Sequence, residues 1–163
     1  MVFVLMLTIT IPEVKSFSGG LKILDLRRGG YTAQDVNTLL DVLGVEGRNA
    51  YLYHQIPVDM LYPFLFAITY SLLLAYMLNK IGKLNSSLVY LCFITLVSGF
   101  FDYCENIGII TILTSYPHNS IVLTQVTSAF TVLKSTLTSI YFVVITITFL
   151  VFGYQKLKSS TNI

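Results

Sequence analysis

The stretch IPVDMLYPFLFAITYSLLLAYML, residues 56–78, decides how the rest of the chain must be read. As a helix rising 1.5 Å per residue it is about 34 Å long, enough to cross a hydrocarbon core of about 30 Å. Only Asp59 and Pro63 interrupt its apolar character. Lys80 and Lys83 follow in a short loop, and two more apolar stretches come after them, residues 87–113 and 124–152. The first continues through Asp102-Tyr103-Cys104-Glu105-Asn106 and the second is broken by Lys134, with Tyr116-Pro117-His118-Asn119 as the turn between.

Composition agrees. The 163 residues are 55% hydrophobic and 11% charged, with a mean hydropathy of +0.75. Soluble domains carry about 25% charged residues, and a chain this short has too high a surface-to-volume ratio to hide so much apolar area from water. Lipid is the solvent that composition predicts. A net charge of +2 without a long basic run speaks against nucleic acid as a partner. Eleven tyrosines, in a chain without tryptophan, supply rings suited to membrane interfaces. Cys92 and Cys104 lack CxxC spacing and read as small core residues.

Upstream, MVFVLMLTITI (residues 1–11) is apolar and then meets Pro12, Glu13 and Lys15. It is short for a span. A signal peptide is the rival reading, but the segment lacks a basic n-region and a small-x-small cleavage site. We read it as a spanning helix with an abbreviated start. Residues 16–55 form the one water-compatible stretch. Thr32 and Asp35 have capping-box spacing, Val36, Leu39, Leu40 and Leu43 recur at helical spacing, and Gly44 is a stop signal. A second short helix is expected over 46–55. This amphipathic segment either packs on its own bundle or acts as a lid over a pocket. The predicted fold is all-α: one membrane domain, a polytopic four-helix bundle with spans near 1–15, 56–78, 87–113 and 124–152, and an outward-facing helical segment over 16–55. Lys80 and Lys83 share a side with Lys156 and Lys158, which the positive-inside rule places in the cytoplasm of a cell membrane, with both termini.

Charges inside a span are costly and normally pair or face a cavity. Four are present, Asp59, Asp102, Glu105 and Lys134, and helical periodicity tests whether they meet. Thr95, Ser98, Asp102, Glu105, Asn106 and Ile109 share one stripe. Thr127, Thr131, Lys134, Thr138 and Tyr141 form another, and Asp59, Tyr62, Phe66, Thr69 and Tyr70 a third. Around a turn centred on His118, Asp102 and Lys134 fall at one depth. Around Lys83, Asp59 falls beside Glu105 and Asn106. The layer lies toward the outer face, about 22 Å from Ser87. Structural pairing or snorkelling is the plain reading. The functional one is a ligand site built from Asp59, Asp102, Glu105, Asn106 and Lys134, holding a lipid, a small polar molecule or a proton.

The catalytic inventory is small: two acids and a lysine, without nucleophile elbow, Walker loop or HExxH. No metal or cofactor is implied. Whether the chain is an enzyme stays open, with an enzyme acting on lipid or isoprenoid as one alternative. A subunit of a larger membrane complex or a homo-oligomer is another, since Ser98, Gly99 and Gly108 allow close helix approach.

The run Leu24-Asp25-Leu26, Gly30-Tyr31-Thr32, Gly47-Arg48, Tyr51, Pro57-Val58-Asp59, Tyr62-Pro63, Asp102-Tyr103, Glu105-Asn106 and Lys134 resembles small bacterial four-helix membrane proteins of unassigned function. That resemblance covers nearly the whole chain and implies no activity. The layout of one helix, an outer segment and three helices with buried acids is similar to the EXPERA-type group of sterol isomerases and the sigma-2 receptor. This second resemblance is one of architecture and implies no site residue.

Overall fold

The computed structural model describes residues 1–161, with side chains through Lys158. Among these residues the protein is all helical, without strands. Helix α1 covers residues 2–17, α2 is Ala33–Ala50, α3 is Ile56–Lys80, α4 is Phe93–Ser115 and α5 is Ile121–Thr161. A 3₁₀ turn, Ser87–Cys92, leads into α4.

Prolines shape the first half. In α1, the wide π turn Met6–Thr10 runs directly into Ile11-Pro12. The π turn Tyr51–Gln55 runs in the same way into Ile56-Pro57 and joins α2 to α3 without a break. A proline cannot donate to the carbonyl four residues back and its ring crowds that carbonyl, so the preceding turn widens. The separate short helix expected over 46–55 is therefore the middle of a longer bent rod. Gly44 does break α2, at φ 61 and ψ −170, but as a kink with helix on both sides rather than a stop. The Thr32–Asp35 capping box forms as its spacing predicts: Thr32 Oγ1 accepts from the Asp35 N–H at 3.2 Å, and Asp35 Oδ2 accepts from the Thr32 N–H at 2.8 Å.

Helices α3, α4 and α5 make the long bundle. Thr95 Oγ1 donates to the Ala67 carbonyl at 3.1 Å, and Tyr141 Oη donates to the Tyr70 carbonyl at 2.6 Å. Ser98 pairs with Thr138 at 2.8 Å. Successive neighbours therefore run antiparallel, and the α4–α5 pairing centres on the turn at His118. Gly99 lies against the Pro63 carbonyl and the Ala67 methyl, and Gly108 lies against Thr127. Small residues at these two positions let the helices close up. The amphipathic face of α2 (Val36, Leu39, Leu40, Leu43) packs with Val14 of α1 and with Ile109 and Ile112 of α4 in one core. Cys92 is buried as expected, whereas Cys104 is half-exposed.

Among the described residues, three rods are long and apolar enough to cross a membrane: Ala33–Lys80, Ser87–Ser115 and Ile121–Lys158. In the most apolar window of the last, only 11% is buried within the protein. Leu72, Phe100, Phe149 and Leu150 are each more than 60% exposed, an outward apolar surface that water would penalise at about 25 cal/mol per Å². Helix α1, in stretches of four, five and seven residues, is shorter than these three.

Candidate functional site

The five residues singled out by periodicity come together. Lys134 Nζ lies 2.7 Å from Asp102 Oδ1 and also pairs with Glu105 Oε2. Glu105 is fully buried, and its other oxygen accepts from Thr131 Oγ1 at 2.7 Å. The lysine thus bridges two acids on successive turns of α4, where depth counting alone paired it with Asp102. Ser98 Oγ donates to the Lys134 carbonyl at 3.2 Å, fixing the backbone from which this side chain departs.

Asp59 and Asn106 meet for a reason written in the sequence. Pro63 has no N–H, so the carbonyl of Asp59, four residues earlier, loses its helical partner. Asn106 Nδ2 takes that place, donating to the Asp59 carbonyl at 3.3 Å. The proline kink and the polar residue of α4 are two halves of one arrangement. Asp59 itself is 3% exposed, and its Oδ2 has no hydrogen-bond partner.

Residues the sequence reading placed outside the cluster join it. The 3₁₀ turn Leu24–Leu26 folds inward over the cluster. Asp25 Oδ1 accepts from Tyr51 Oη at 2.9 Å, while its Oδ2 is buried without a partner. Burial pushes the Asp25 carboxyl up to about 6, with Lys134 and the Tyr51 hydrogen bond opposing that rise. The Tyr31 N–H donates to Ser128 Oγ at 2.7 Å, tying the segment to α5. Gly30, at φ 88, lies so close to Ser128 that a Cβ there would come within 2.8 Å of its hydroxyl. Only glycine meets both demands. Gln55 is also fully buried; its Oε1 accepts from Thr10 Oγ1, and its Nε2 is unpartnered. Thr10 and Gln55 each stand two residues before an Ile-Pro step's proline, so the two widened turns touch through their own side chains.

Part of this set borders a cavity of about 270 Å³. Asp25, Gln55, Asp59, Asp102 and Lys134 form its polar floor, and Phe3, Leu7, Tyr62, Phe66 and Phe142 its walls. Phe3 stacks on Tyr62 at 5.5 Å between ring centres. Phe3, Leu7 and Phe142 are also 45–50% exposed, so the cavity opens sideways between α1 and α5, through the apolar belt. Glu105 and Asn106 stand behind the floor and hold it rather than line it. No metal-binding group of three or more His, Cys, Asp or Glu is found among the described residues. His54 pairs with Glu13 at 2.8 Å on the exposed surface, away from the cavity lining.

Among the residues that periodicity missed, Asp25 had one usable signal. It is an acid between two leucines, flanked by glycine pairs on both sides, in a segment otherwise read as solvated. Comparison with protein-family models, with characterised proteins and with solved structures finds no match to this chain.

Proposed function

We propose that this is a multi-pass membrane protein that binds a lipid or another small amphipathic molecule in the lateral cavity, its polar end on the charged floor. The observation that carries this reading is the cavity itself. A cluster kept only for structural pairing would close on itself, since buried charge is stabilised by tight pairing and exclusion of space. Here apolar and aromatic walls surround a floor with three unpartnered buried polar atoms, on Asp25, Gln55 and Asp59. Concave apolar sites with a few converging polar groups are the usual form of ligand pockets. The opening toward the apolar belt suits a molecule arriving from the bilayer.

Orientation follows the lysines, with the Lys80–Lys83 loop and the end of α5 on the cytoplasmic side. The segment over 16–55 then covers the outer end of the cluster as a lid, anchored to α5 by Tyr31–Ser128 and held together internally by Tyr51–Asp25.

Lys134→Met is a poor test, because it strands two buried acids. Ser139, exposed at the cavity mouth, is the better position. Mass spectrometry of the purified protein should find a copurifying amphiphile in the wild type and little of it in Ser139→Trp, where an indole fills the mouth. Equal retention by both proteins would sink the lateral-cavity reading.

A further inference from the structure

Resting on that reading, we infer that the bound molecule carries a protonated amine, held at the Asp59 carboxylate, on an apolar tail that leaves between α1 and α5. The charge inventory of the site is unbalanced. Four carboxylates, Asp25, Asp59, Asp102 and Glu105, surround one lysine, and that lysine is engaged by Asp102 and Glu105. Arg28 also borders the cavity, but it is an exposed side chain at the rim. This leaves Asp59, a cavity-lining residue only 3% exposed, with a buried carboxylate oxygen, Oδ2, that has no hydrogen-bond partner. Asp25, a half-buried residue that also borders the cavity, has an unpartnered Oδ2 as well.

Unpartnered carboxylate oxygens in an apolar enclosure call for donors, and a cation satisfies them best. An anionic head group would instead meet two carboxylates with no free lysine. An ammonium brings three donors and no acceptor. The space, a cavity of about 270 Å³ with apolar walls, is far larger than an inorganic ion alone needs. The rings of Phe3, Tyr62 and Phe66, successive neighbours at 5.5 and 5.7 Å, offer faces that attract a cation and edges that pack a hydrocarbon chain. An oxygen next to the amine would take up the free Gln55 Nε2 donor.

The test uses the full chain in a mild non-ionic detergent with three probes of one tail length: dodecylamine, dodecanol and dodecanoate. Retention is read by native mass spectrometry. The amine should be held at least about tenfold more strongly than either other probe, about 1.4 kcal/mol in binding free energy. Asp59→Asn, which keeps side-chain size, should reduce the amine to the level of the alcohol. If the wild type holds dodecanol or dodecanoate as well as the amine, the cationic head group is overturned while the amphiphile cavity stands. If no probe is held and Ser139→Trp changes nothing, both fail. The three-probe comparison on the wild type decides the matter even where Asp59→Asn does not fold.

Discussion

At the scale of single residues, the pairing of Pro63 with Asn106 shows how a backbone defect and a side chain are matched across two helices. The Asp59 carbonyl that Pro63 leaves without a helical donor accepts from Asn106, and a buried carbonyl without a donor costs about 1–3 kcal/mol. Asn106→Ala should therefore destabilise the protein by about that amount. In a Pro63→Ala background, where residue 63 regains its N–H, the same substitution should cost clearly less. Thermal unfolding of the four proteins in detergent measures this coupling, and additive effects would refute the link. Asp25 makes a second residue-scale prediction. Burial raises its carboxyl from 3.8 to about 6 in the folded protein, so the native state binds this proton more tightly than the unfolded chain. Between about pH 4 and pH 6 stability from this group falls as pH rises. Asp25→Asn should flatten the pH dependence of the melting temperature across that window and raise stability at neutral pH. Asp35 is the opposite case: the Thr32 hydroxyl and backbone N–H lower its carboxyl to about 2, so its contribution is present above pH 3.8 and lost as pH falls through 2.

At the scale of elements, helix approach is set by where side chains are missing. A methyl group added at Gly108 would overlap Thr127 of α5, and overpacking of this kind costs about 1–3 kcal/mol. Gly153, also helical, has nothing within 4 Å of the same position. Gly108→Ala should lower the melting temperature and disturb the neighbouring Glu105–Thr131 contact, whereas Gly153→Ala should be neutral or slightly stabilising through helix propensity. Equal effects would show that the α4–α5 crossing is not glycine-limited. Legibility at this scale was uneven. Periodicity placed the stripes of α3, α4 and α5 because a helix repeats every 3.6 residues whatever it packs against. It could not show that α2 runs on into α3, because Gly44 and Pro57 are stop signals that a wide π turn and a kink both absorb.

At the scale of the whole molecule, three rods carry an outward apolar surface, and the lysine-bearing ends lie together. In the orientation proposed above, single cysteines in place of Lys83 and Lys158 should resist a membrane-impermeant thiol reagent in intact cells, and Asn119→Cys should react, all in a background where Cys92 and Cys104 are serine. The reverse pattern would invert the orientation without altering the fold.

The sequence by itself determined the all-helical class, the three long apolar stretches in residues 56–152 and the meeting of Asp59, Asp102, Glu105, Asn106 and Lys134. These follow from hydropathy and helical repeat, which are local, and from loops short enough to fix the register between neighbouring helices. Only the tertiary structure decided that Lys134 bridges two acids, that Asp25 and Gln55 belong to the site, and that a cavity separates the floor from α1. Those facts depend on how a non-helical loop and two proline-widened turns fold back over the bundle. Nothing in residue spacing encodes that path, because chain reversal through glycine pairs leaves its direction to the packing of Ile23 and Leu24 into the core.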